Sequence, residues 1–327
     1  MRDWFGFGGG RADGNRDDRA LLGGKGANLA EMSRLGLPVP PGYTLPTSHC
    51  AANAAGLTNE VLTAIDEGLY FVEQILEGPK LGDSKNPLLV SVRSGAAVSM
   101  PGMMDTVLNI GLTRNDIDGL ANLTGDRRFA LDSYRRLIQM FGDVVMGVPR
   151  AALDAPLRAV KQERGLESDG DLDAAALEDV VARLESVYEE HAGEQFPGES
   201  VEQLRRAVRA VFGSWGTERA RAYRRMNRID DSIGTAANVQ AMVFGNYGAS
   251  SATGVLFTRN PSNGEKQIYG EWLPNAQGED VVAGIRTPGA ITEADLDTER
   301  PGPGSLERAM PDAFAELVDV SERLERH

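Results

Sequence analysis

Apolar positions along the chain fall into two rhythms, and the change between them organises the molecule. Leu29, Met32 and Leu35 keep helical spacing over residues 28–35, after a glycine turn and before the stop at Val39, Pro40 and Pro41. Residues 59–78 repeat apolar positions every three and four residues and predict a second amphipathic helix. PLLVSVRSG, residues 87–95, is an apolar, β-branched run bounded by proline and glycine, which predicts a buried strand. From 113 to 212 the chain is strongly charged and poor in glycine. Phe129, Tyr134, Leu137, Phe141 and Val145 mark helical spacing there, with breaks near Pro149 and at FPGES, 196–200.

Beyond 235 the period becomes two. TAANVQAMVFGN and TGVLFTRN read as strands joined through YGASSA into a β-hairpin, and Asn263-Gly264 is a turn signal before another strand over 267–273. Residues 1–19 read as an edge strand plus loop, 288–305 as a flexible loop, and 309–327 as a helix. Strands with helices on one face make the expected class α+β. The divisions are a mixed αβ lobe over 1–112 rejoined by about 200–238, a helical insert over 113–199, and a mostly antiparallel lobe over 239–327.

Charge narrows the partners. Lys plus Arg is 34 against 48 Asp plus Glu, a net charge of -14, so non-specific nucleic-acid binding is disfavoured and any anion site must be built locally. Cys50 is the only cysteine, which excludes an intrachain disulfide and a thiolate zinc cluster. With no apolar run near membrane-spanning length and no secretory leader at Met1, the expectation is a cytoplasmic protein without a membrane partner.

Two short stretches carry candidate chemistry. GGKG, 23–26, sets Lys25 between glycines at a helix start, where backbone N–H groups and an ammonium can approach a phosphate together; it also reads as an ordinary glycine turn. It is not a Walker A loop, because Arg19 and Gly26 stand where that motif needs glycine and a hydroxyl residue. Arg93 falls near the end of the predicted strand, where a guanidinium needs either a carboxylate partner or an anionic ligand. Just after it, Met100, Met103 and Met104 are either core filler or a pliable apolar cover. Glu271 and Glu279 are open between solvated charges and ribose or adenine contacts, and Arg224 and Arg225 read as helix-surface charges. No metal-ligand cluster follows from spacing.

LLGGKGANLAEM (21–32), LLVSVRSGAAVSMPGMMDTVLNIGL (88–112), SYRRLIQMFGDVVMGV (133–148) and the segments NVQAMVFGN and TGVLFTRNPSNGEKQIYGEWLPNAQGEDVVAGIRTP within 238–288 closely resemble the nucleotide-binding domain of pyruvate, phosphate dikinases. The resemblance implies an ATP-grasp fold in which two lobes clamp ATP with Mg2+. It implies conversion of ATP, inorganic phosphate and pyruvate to AMP, pyrophosphate and phosphoenolpyruvate, through a histidine on a separate domain. It places the phosphate-binding lysine on Lys25 and the essential arginine on Arg93. The nucleotide loop falls on Gly102, Met103, Asp105 and Thr106, and the strand beside the adenine on Gln240 and Met242. The family's metal-holding Asp-x-Glu strand, phosphohistidine domain and pyruvate-binding domain would lie past His327. This piece alone is therefore expected to be inactive, and the full enzyme to be a homodimer. Alternatives are a phosphoenolpyruvate synthase-like dikinase or a non-catalytic nucleotide-binding module.

Overall fold

The computed structural model describes residues 2–282, 286–296 and 302–327. It divides into two compact units, Met1–Met242 and Val243–His327. The first is built on a six-stranded antiparallel sheet made of β1 (Phe5–Gly8), β2 (Arg11–Ala12), β3 (Gly42–Leu45), β4 (Val90–Gly95), β5 (Thr106–Ile110) and β6 (Ala236–Ala241). The strands lie in the order β2-β1-β3-β6-β4-β5.

Two neighbouring rows of residues cross this sheet and explain most of its design. Tyr43, Val239, Val92 and Val107 stand opposite one another on β3, β6, β4 and β5, and all four are fully buried. One residue along each strand, the row reads Thr44, Asn238, Arg93 and Thr106. Side chains alternate across a strand, so the apolar row faces one side and the polar row the other. On the apolar side the helix Asn59–Leu76 lies so close that a Cβ at Gly68 would sit 2.6 Å from the Tyr43 ring. On the polar side lies α1 (Arg19–Arg34), with Gly26 against the hydrogen-bonded Thr44 and Asn238 side chains.

β6 corrects the expected hairpin. All six of its residues are buried and it is wedged between β3 and β4, whereas β7 (Ala252–Phe257) pairs with β8 (Tyr269–Pro274) in a separate sheet. The backbone N–H and C=O groups of a fully buried strand need hydrogen-bond partners on both edges, which β3 and β4 supply, and the YGASSA stretch leads on to β7 instead of turning back.

The helical segment runs through Ile117–Thr124, Arg127–Val144, Arg150–Arg164 and Ala174–Ala192. Pro149 caps the third of these, as its position in the sequence suggested. The phenylalanine of FPGES, Phe196, docks edge-on against Tyr134, Phe141 and Tyr188, so the helix breaker also plugs the bundle. Arg127–Val144 buries the predicted Phe129, Tyr134, Leu137 and Phe141, but it buries Asp132, Arg135 and Gln139 as well. Asp132 takes two hydrogen bonds from Arg135 and one from Arg136, while Arg135 also donates to Gln139.

A second correction concerns Arg224, which is buried rather than on the helix surface. It donates to Asp231 and to the Trp215 carbonyl while stacking 4.0 Å over the Trp215 ring. Arg225 is exposed, as expected.

In the second unit, Trp272, Ile291 and Leu306 form a small core against which Phe314 and Leu317 of the helix Pro311–Arg326 pack. The stretch expected to be a loop is partly ordered: Gly289–Ala290 forms β9 beside β8, and a 3-10 turn follows at Glu293–Asp295. Its remainder over 297–301 lies outside the described residues.

Candidate nucleotide site

Gly23 has φ 67° and ψ 170° and breaks α1 near its start. A Cβ there would overlap the Gly95 carbonyl oxygen, so only glycine allows the two backbones to meet. The contact is locked by the Gly24 N–H, which donates to the Ala96 carbonyl at 2.9 Å. This brings the restarted helix and its Lys25 onto the end of β4. Replacing Gly23 with alanine should lower the unfolding free energy by about 1–3 kcal/mol. Gly24→Ala, whose Cβ would meet Ala96 at an ordinary 3.5 Å, should cost far less. Urea denaturation of the two variants checks this, and equal stability would remove the steric account.

The Lys25 ammonium donates to the Ser94 carbonyl at 2.8 Å. Its pKa is lowered, first by burial of the ammonium and then by the Arg93 charge. The residue as a whole is nonetheless exposed. Arg93, half-buried on the polar row, donates to the Gln240 side-chain oxygen, while its Nε has no hydrogen-bond partner. Burial works against the Arg93 charge too. Gln240 is held for this role by donating its own amide to the Pro40 carbonyl at 2.9 Å. Among the described residues neither cation meets a carboxylate, in a chain with 48 of them. Two converging cations satisfied only by neutral oxygens make a region that favours an incoming anion.

A cleft of about 340 Å³ opens beside Lys25, walled by Ser94–Val98 and by Arg19, Lys25, Asn28, Met100 and Met104, while Arg93, one residue before Ser94, is not part of its wall. It carries no aspartate or glutamate. Arg19 and Asn28 escaped sequence reasoning, although a signal for Asn28 existed: it is three residues after Lys25, on the same helix face.

The loop residues separate. Gly102, with φ 68°, lines the cleft, whereas Met103 does not, and Met100 and Met104 supply the apolar wall. The Asp105 carboxylate is engaged by Arg219 at 3.0 Å, and Thr106 pairs with Arg93 across β4 and β5. Met242 follows β6, its N–H donating to the Leu89 carbonyl at 2.9 Å. Glu271 lies exposed on β8 in the second unit, and the side chain of Glu279 lies outside the described residues.

Residues 71–319 match the protein family described as pyruvate phosphate dikinase, AMP/ATP-binding domain. The chain belongs to that family. It is 54% identical over 326 residues to the chloroplastic pyruvate, phosphate dikinase of Flaveria trinervia, covering 99% of this chain and 33% of the relative. It is 53% identical to the chloroplastic pyruvate, phosphate dikinase 1 of Arabidopsis thaliana over 99% of this chain and 32% of that protein. With the pyruvate, phosphate dikinase of Clostridium symbiosum it shares 51% identity over 96% of this chain and 35% of the relative. The chain thus spans about a third of the length of the curated relatives it matches. The mixed helix and antiparallel-sheet architecture agrees with the α+β class expected of a pyruvate phosphate dikinase nucleotide-binding domain. No described helix is long and apolar enough to cross a membrane.

Proposed function

We propose that this chain is the nucleotide-binding part of a pyruvate, phosphate dikinase, with an ATP-grasp fold. It binds ATP and inorganic phosphate and directs a phosphoryl group to a histidine on a separate domain. The overall reaction takes ATP, phosphate and pyruvate to AMP, pyrophosphate and phosphoenolpyruvate, in a cytoplasmic homodimer. The observation that carries this is the pairing of Lys25 and Arg93 on neutral oxygens beside a carboxylate-free cleft. A polyphosphate entering there replaces the Ser94 carbonyl as the partner of Lys25 and relieves the repulsion between the two cations. Fixed cations aimed at transferring phosphoryl groups supply much of the catalysis in such reactions.

Mg2+ would accompany the nucleotide, but the described residues do not fit a resident metal site. No group of three His, Cys, Asp or Glu side chains stands ready to hold a metal ion, and the cleft wall has no carboxylate.

Lys25→Met should weaken ATP binding by roughly 10-fold, the scale of one charge-assisted hydrogen bond, while leaving the melting temperature unchanged. Titration calorimetry with ATP on both proteins decides it. Equal affinities would remove Lys25 from the site.

A further inference from the structure

The loop Met100–Asp105 walls the cleft, yet its own hold on the protein is uneven. Pro101 and Gly102 are exposed, and a Cβ on Gly102 would meet nothing within 4 Å. One internal bond, from the Met103 N–H to the Met100 carbonyl at 3.1 Å, closes the turn. Met100 is buried at the start of the loop, and side-chain polar contacts hold its last two residues. The Met104 sulfur lies 4.0 Å from the Ser214 hydroxyl, and the Asp105 carboxylate accepts from Arg219 at 3.0 Å. The Asp105 carbonyl also accepts from the Ser94 N–H at 3.4 Å, next to Arg93.

Both side-chain anchors come from one turn of chain, and that turn is rigid. Thr217 Oγ1 donates to the Ser214 carbonyl and caps the helix Glu218–Asn227 by accepting from the Ala220 N–H. Arg224, on the same helix, is clamped by Trp215 and Asp231. Arg219 is therefore a half-exposed guanidinium held on a fixed platform and aimed at a carboxylate whose pKa burial still holds above its ordinary value, even with the arginine beside it.

We infer that Arg219 is a positioning residue for the cleft. Acting through Asp105, it holds the Met100–Asp105 loop in its seat over the phosphate-binding cations and so sets nucleotide affinity without touching nucleotide. The Asp105 carboxylate then serves the tether and not the ligand. The link to affinity rests on the proposed nucleotide site; the tether itself does not.

Hydrogen exchange of the amides of Met100 and of residues 102–105 tests the tether with no nucleotide present. Arg219→Ala and Asp105→Asn should each speed that exchange about fivefold, the scale of a partly exposed ion pair, and the double variant should add nothing further. Arg219→Lys should restore most of the protection, and exchange in β4 should stay unchanged in all variants. Unchanged loop exchange in Arg219→Ala, or fully additive effects in the double variant, would overturn the tether. ATP titration of the same proteins should show a several-fold loss that Arg219→Lys largely rescues. Faster exchange with undiminished ATP affinity would overturn the positioning role, whereas no ATP binding even by the parent chain would count against the nucleotide site alone.

Discussion

Arg93→Ala is expected to reduce ATP affinity by about 10- to 100-fold, the range for one charged hydrogen-bonding group. The effect should exceed that of Lys25 because two changes coincide. A guanidinium charge next to Lys25 disappears, and the Gln240 oxygen it held loses its donor. Gln240 remains tied to Pro40 by its other end, so it cannot swing to compensate. Folding should suffer little, because Arg93 is not matched to any carboxylate among the described residues. Arg93→Lys should recover charge but not the forked geometry and fall between the two. Calorimetric ATP titration beside thermal melting separates these effects, and a melting loss that explains the whole affinity loss would make Arg93 structural.

Asp132→Ala should lower the unfolding free energy by about 3–5 kcal/mol, because it strips the anion from two guanidiniums inside the helical segment. Asp132 and Arg135 are each about 5% exposed, so water cannot replace the lost partner. Burial alone would raise the Asp132 pKa, but Arg135 and Arg136 overcome that and hold the carboxyl well below the usual carboxylate range. A folded pKa below the unfolded one means the stabilisation is complete above about pH 4 and is lost as pH falls toward the folded value. Urea denaturation across acidic pH should therefore show the parent chain losing stability and Asp132→Ala losing less. Parallel curves would show that the carboxylate contributes nothing to acid sensitivity.

Much of the architecture was legible in residue order. The helix Asn59–Leu76 and β4 fall inside the stretches marked by their apolar rhythm, within a few residues at each end. Lys25 was legible because glycines flank it at a helix start, and Arg93 because a guanidinium in an apolar strand demands explanation. Arg224 was illegible: ERARAYRRMN offers five candidate surface cations if Arg228 is counted, and nothing local says which one turns inward to Trp215. The methionines were illegible for a similar reason: one residue's turn decides that Met100 and Met104, and not Met103, face the cleft.

Local rhythm by itself determined the helix Asn59–Leu76, β4 and the helical character of the stretch after 113, and it singled out Lys25 and Arg93 as candidates. These depend on side-chain periodicity and backbone preference over a few residues. Only the tertiary structure decided that β6 lies between β3 and β4, that Lys25 rests on the Ser94 carbonyl, and that Arg93 answers to Gln240 across 147 positions. Register between distant strands is set by which pairing buries Tyr43, Val239, Val92 and Val107 together, and that choice is made by the whole sheet at once.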